Sequence, residues 1–132
     1  MSFLHSGFDG LTFILFNQLS FFQGMQHQFS QIATEIHAAE VMLYNACRLK
    51  ENNHPFTKEA SMVKLFASQV AAKTTSMCIE WLGGTGFTRN MLVEKLYRDS
   101  KVGSIYEGTS NIQLQTIAKI LQSEYGADVD ER

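Results

Sequence analysis

Residues 22–51, FQGMQHQFSQIATEIHAAEVMLYNACRLKE, carry apolar side chains at Phe22, Met25, Phe29, Ile32, Ile36, Ala39, Leu43 and Ala46. Steps of three and four return each of these to one face of a 3.6-residue helix, which predicts one long amphipathic helix. The pattern stops at Glu51-Asn52-Asn53-His54-Pro55, where the only proline of the chain disfavours helical geometry at the residue before it. A second helix is expected with Thr57 as N-cap and with Val63, Phe66, Val70, Thr74, Met77 and Trp81 as its stripe. Two long helices on a short connection make an antiparallel hairpin. The fold class that follows is all-α, an up-down helical bundle, without convincing strands, internal repeats or low-complexity tracts.

Further along, Gly83-Gly84-Thr85-Gly86 cannot continue a helix, because glycine supplies positive φ and costs backbone entropy. A turn with close backbone approach is expected there. Residues 91–98 suit a short helix, and the stretch from Gly103 to Gly108 is irregular. The last helix opens with Thr109 or Ser110 as N-cap, since Ser110-Asn111-Ile112-Gln113 has the capping-box pattern, and runs to about Tyr125. The chain thus divides into a divergent N-terminal segment (1–20), a helical domain (21–125) and a tail (126–132).

Composition narrows the function classes. With 132 residues, 45% hydrophobic and 18% charged, one soluble globular domain is expected. The net charge is −2, and Arg89, Lys95, Arg98 and Lys101 alternate with Glu94 and Asp99, so no stripe for nucleic acid is present. Cys47 and Cys78 sit in apolar helical stretches and read as small buried hydrophobes in a reducing compartment. His5, His27, His37 and His54 have no ligand pairing, so no metal is expected. Residues 1–22 are apolar yet hold His5, Asp9, Asn17 and Gln18, too polar for a membrane span. They contain no Lys or Arg, so neither a signal peptide nor a mitochondrial transit peptide is legible.

Two segments bear on chemistry. Ile105-Tyr106-Glu107-Gly108-Thr109-Ser110 sets a carboxylate just ahead of a capped helix N-terminus, where the positive end of the dipole acts on it. Taken alone, such a glutamate reads first as a surface loop residue and only second as a catalytic group. The Gly83-Gly84-x-Gly86 turn likewise reads as a helix stop or as a phosphate cradle. It lacks the Walker lysine and no strand precedes it, which rejects a P-loop or Rossmann turn.

The two segments together carry a resemblance. Glu80-Trp81-Leu82-Gly83-Gly84-Thr85-Gly86-Phe87, followed by Asn90, Lys95 and Asp99, resembles the second signature of the acyl-CoA dehydrogenase family at every spacing. The family's next landmark, a Tyr-Glu-Gly-Thr-Ser segment opening the last helix, is matched by Tyr106-Glu107-Gly108-Thr109-Ser110-Asn111-Ile112-Gln113. Phe22-Gln23-Gly24-Met25-Gln26-His27-Gln28 and Lys58-Glu59-Ala60-Ser61-Met62 are most similar to its short/branched-chain members. The resemblance covers about residues 21–125.

That resemblance implies an FAD-dependent oxidoreductase in which Glu107 removes the α-proton of an acyl-CoA thioester while the β-hydride passes to flavin. It further implies a desolvated base whose pKa burial raises toward working pH. Members specific for isovaleryl or long-chain substrates hold the base on another helix, so a glutamate here implies the commoner group. Gly108 matches the residue beside the substrate, and Thr109, Ser110 and Asn111 match positions that contact FAD. Glu80, Trp81, Leu82, Gly83 and Gly84 match a stretch along the FAD of a neighbouring subunit, which Gln23 also reaches. Homotetramers or dimers, electron-transfer flavoprotein as acceptor, and the mitochondrial matrix are implied with them.

The sequence departs from the family in two respects. An Arg-x-x-Phe-Gly motif is expected with its arginine at position 12, but Thr12 stands there and Leu15-Phe16 occupies the Phe-Gly place. The family's N-terminal helical domain and middle β-domain have no counterpart in these residues, so surfaces that dock on them are expected to be exposed. Two functions follow as expectations: an acyl-CoA dehydrogenase whose base is Glu107 once the remaining domains are supplied, or a catalytically silent helical module acting in oligomerisation.

Overall fold

A computed structural model describes residues 21–126 of the chain. The expectations for residues 1–20, Thr12 among them, and for the tail beyond Gly126 lie outside these. Helix α1, Gln23–Glu51, begins on the Phe22 carbonyl, which accepts the Met25 and Gln26 amides at 2.9 and 3.0 Å. It ends where Asn53 takes a left-handed φ of 56°, with Arg48 and Lys50 in the last turn facing the negative end of the helix dipole. Helix α2, Thr57–Leu82, runs back alongside it. The hairpin register is visible in three contacts: Trp81 Nε1 donates to Gln28 Oε1 at 2.8 Å, the Trp81 ring meets Phe29 edge-on at 4.6 Å, and Lys73 pairs with Glu35 at 2.6 Å.

Thr57 is not the cap of α2. Phe56 holds that position without any side-chain capping bond. The first turn is closed by backbone alone, through the Phe56 carbonyl and the Ala60 amide at 2.8 Å, while Glu59 supplies negative charge at the N-terminus.

Helix α2 is the axis on which the other elements pack. Helix α3, Leu92–Ser100, leans on it through the Ser100 and Thr75 hydroxyls, 3.2 Å apart. A short 3-10 turn, Lys101–Ser104, brings Gly103 against Ser68, where an added Cβ would meet the serine Cβ at 3.4 Å. Helix α4, Ser110–Gly126, crosses the start of α2, and Lys58 holds Glu124 there at 2.7 Å. Among the described residues no strand occurs, and the chain is an all-α helical bundle, as periodicity predicts.

The core is thin. Ile32, Ala46, Val63 and Val70 are buried, the larger ones each contributing about 1.5–3 kcal/mol by leaving water. Buried Ser61 and Ser68 keep α2 narrow where its neighbours approach. The expected α1 stripe divides in two: Ile32 and Ala46 are covered, whereas Phe22 and Leu43 remain 66% and 51% exposed. Ile36, Ala39 and Leu43 face Val63, Ala67, Val70 and Thr74 across an open apolar groove of about 490 Å³. Cys47 is exposed, which corrects its reading as a buried hydrophobe, because it lies one residue beyond Ala46 and off the covered face. Cys78 is half-buried, and burial pushes its thiol up. Among the described residues no helix is long and apolar enough to cross a membrane.

Candidate active site

The loop that carries Glu107 is shaped by two turns in opposite senses. The Val102 carbonyl accepts the Ile105 and Tyr106 amides at 2.9 and 3.0 Å, completing the 3-10 turn. Glu107 and Gly108 then adopt left-handed backbone, with φ of 51° and 92°. For a glutamate this costs about 1–2 kcal/mol. At Gly108 a side chain is excluded twice, by φ and by the Gln113 Nε2 atom that would lie 2.7 Å from an added Cβ.

Side-chain donors offset that cost. Lys64, from α2, donates to the Gly108 carbonyl at 2.6 Å, and its ammonium lies 5.7 Å from the centre of the Tyr106 ring. Gln113 is buried and donates from Nε2 to the Gly108 carbonyl at 3.2 Å and toward the Glu107 carbonyl at 3.4 Å. The capping box does not form. Because Thr109 is the residue before the helix, Ile112 holds the third helical position and has no group to reach back. Thr109 itself provides the cap, with Oγ1 at 3.4 Å from the Ile112 amide and its carbonyl on the Gln113 amide at 3.0 Å. Gln113 therefore turns inward to the loop.

Thr109 and Asn111 are exposed and Ser110 is half-buried, at the positive end of a helix of 17 residues. The Glu107 side chain is exposed as well, and its neighbours Ile105 and Tyr106 are 63% and 56% exposed. Residues 21–126 do not build an apolar pocket around this carboxyl, contrary to the expectation of a desolvated base. The walls of such a pocket are not encoded beside Glu107 in sequence or in fold.

The second group of predicted residues lies at the other end of α2. Trp81 and Leu82 are half-buried, Trp81 by its contacts with α1, and Glu80 is exposed. Gly83 ends the helix at φ 60° and ψ −144°, a conformation open to glycine alone, and its amide bonds the Glu80 carbonyl. Gly84 faces open space. The close approach expected in this turn is made by Gly86, where an added Cβ would lie 2.6 Å from the Ile79 carbonyl oxygen. Gln23, exposed at the start of α1, is brought to this same end by the antiparallel hairpin.

The fold therefore gathers Gln23 with Glu80–Gly84, and Glu107 with Gly108–Asn111, but does not join the two groups. The stretch of α2 from Lys64 to Glu80 separates them by roughly 24 Å at 1.5 Å per residue. Sequence reasoning did not find Lys64. A lone lysine inside an apolar helical run gives no local signal of a partner more than forty residues away.

Three comparisons bear on this arrangement. The family model described as acyl-CoA dehydrogenase, C-terminal domain, matches residues 15–122. The short/branched chain specific acyl-CoA dehydrogenase, mitochondrial, of Rattus norvegicus is 60% identical over 104 residues, covering 79% of this chain and 24% of that protein. Among solved structures, butyryl-CoA dehydrogenase from Megasphaera elsdenii superposes with a TM-score of 0.76 at 33% identity, over 78% of this chain and 27% of the other. A chain from the structure of the electron transferring flavoprotein of Acidaminococcus fermentans gives a TM-score of 0.75 at 35% identity, over 77% and 27%. The chain spans about a quarter of the length of the curated relatives it matches.

Proposed function

This chain belongs to the acyl-CoA dehydrogenase family, whose C-terminal domain it matches, and on that premise we propose that it is the base-bearing portion of an FAD-dependent dehydrogenase of short or branched acyl-CoA thioesters. Glu107 is the base. It accepts the α-proton at its carboxylate, and bound FAD supplies the acceptor for the β-hydride. The observation that carries this role is the left-handed Glu107 backbone, held in place by donors from two helices. Backbone strain retained under such support is characteristic of functional loops.

Gly108 is the residue that lies beside the thioester; without a side chain its backbone can take the left-handed φ of 92° and let Gln113 close on the loop from the other side. Thr109, Ser110 and Asn111 suit flavin dinucleotide by their donor set: two hydroxyls, an amide side chain and the first amides of a long helix. Gln23 and Glu80–Gly84 serve the flavin of a neighbouring subunit. The separation of the two groups along α2 supports this, because one reaction centre is completed by residues from two copies. Homo-oligomers follow, with the remaining domains excluding water from Glu107 and raising its basicity. Electron-transfer flavoprotein as acceptor and a matrix location complete the proposal; the rat relative is described as mitochondrial, and one similar chain comes from a structure of an electron transferring flavoprotein.

A second function, a silent interaction module, is favoured by the open groove between α1 and α2 and by the exposed Val41, Leu43 and Tyr44. One titration separates the two. The chain, with the remaining domains supplied, is mixed anaerobically with FAD and a short branched acyl-CoA, and flavin absorbance is followed. Bleaching at the substrate's expense supports the dehydrogenase. Absent bleaching, together with co-assembly into the oligomer, supports the module.

A further inference from the structure

Gln113 steadies the base loop from within its own helix, and Lys64 is the donor that ties the loop to a different element. Its contact with the Gly108 carbonyl, at 2.6 Å, is much shorter than either Gln113 contact, 3.2 and 3.4 Å. An ammonium donating to a carbonyl is charge-assisted, hence shorter and stronger than an amide doing so. The Tyr106 ring adds a second contact to the same ammonium, so the residues on both sides of Glu107 converge on one side chain. We propose that Lys64 is a positioning residue for Glu107, fixing the left-handed pair at 107–108 in register with α2. This inference rests on the assignment of Glu107 as the base.

The choice of helix matters. With Gln113 alone, the carbonyls of residues 107 and 108 would be held only by α4, whose other described side-chain hydrogen bond to α2 is the exposed Lys58–Glu124 pair, since the bonds of the 3-10 turn end at Tyr106. With Lys64, the carboxyl is referred to the helix against which α1, α3 and α4 all pack. A base that must align with a substrate held by other domains needs such a reference, since misplacement by about 1 Å has a cost of order a hundredfold in rate.

The test needs neither flavin nor acyl-CoA. A glutamyl endopeptidase cleaves after Glu107 only when the loop opens, and cleavage after exposed Glu51 at the end of α1 serves as reference. Lys64→Met is expected to raise the ratio of Glu107 to Glu51 cleavage roughly tenfold, the factor that 1.4 kcal/mol represents. Lys64→Arg, which retains a charged donor, should restore most of it. The carbonyl ¹³C resonance of Gly108 should shift in Lys64→Met and return in Lys64→Arg, with those of Gly83 and Gly84 unmoved. If Lys64→Met does not fold, Lys64→Gln, too short to reach the carbonyl, is expected to raise the same ratio. An unchanged ratio, or a rise at both sites with movement of the Gly83 resonance, overturns the proposal. Either failure would leave the role of Glu107 to be judged by proton transfer alone.

Discussion

The Gly83–Gly86 turn and the Tyr106–Asn111 loop both interrupt helical backbone with glycine, yet the turn is held by local contacts and the loop by a side chain from another helix as well. In the turn, glycines meet backbone: Gly83 bonds Glu80, and Gly86 lies against Ile79. In the loop, the carbonyls of Glu107 and Gly108 are gripped by long side chains from two helices. The difference fits the proposed tasks. A segment that offers peptide groups to a cofactor is held by bonds within the turn, the Thr85 and Thr88 hydroxyls on the Leu82 and Thr85 carbonyls at 2.9 and 2.8 Å, whereas a carboxyl that must meet one proton is aimed from another helix.

Substitutions at the glycines sharpen this contrast. The largest loss of stability is expected for Gly86→Ala, about 3 kcal/mol in urea unfolding, because the new Cβ would press on the Ile79 backbone, which cannot swing aside. Gly108→Ala should cost about 1–2 kcal/mol, mostly from its φ of 92°, since the clashing Gln113 amide is the end of a flexible chain. Gly84→Ala should instead gain about 0.4–1 kcal/mol, there being open space around it and no positive φ to strain. A destabilised Gly84→Ala would mean the turn is constrained in ways its backbone contacts do not account for.

The smallest effects concern pH, and they fall on different parts of the bundle. The Lys73 hydrogen bond, helped by Gln31, holds the Glu35 carboxyl below its ordinary 4.5. Its stabilisation is complete above 4.5 and fades as pH falls further, loosening α1 from α2. The Glu124 hydrogen bond raises Lys58 above its ordinary 10.5, so its stabilisation holds below 10.5 and fades as pH rises, loosening α4. Hydrogen exchange should show acid weakening the hairpin that carries the Gly83 turn and alkali weakening the helix behind Glu107. Glu35→Gln and Lys58→Met should each abolish one trend only.

Much of this was legible in the sequence. Periodicity locates α1 and α2 because their stripes are long, and the glycines mark the end of α2 because no side-chain residue adopts the geometry of Gly83. The paired motifs single out Glu107 in a loop whose strain the structure then reveals. Helix caps were less legible, since the roles of Thr57 and Ser110 depend on where the first helical carbonyl falls, a matter of one residue. The Gln113 pattern announces a helix start but not the direction of its amide, which tertiary packing decides. Lys64 was silent because its partner is a backbone carbonyl, and any residue can supply one.

Whether Glu107 takes the α-proton is read from the exchange of substrate α-protons with deuterated solvent, followed by NMR in the assembled enzyme with Glu107 or with Glu107→Gln. The Glu107→Gln variant is expected to bind FAD as before and to lose exchange by at least about a hundredfold, the lower range for removing a general base. Exchange at the original rate in that variant would contradict Glu107 as the base.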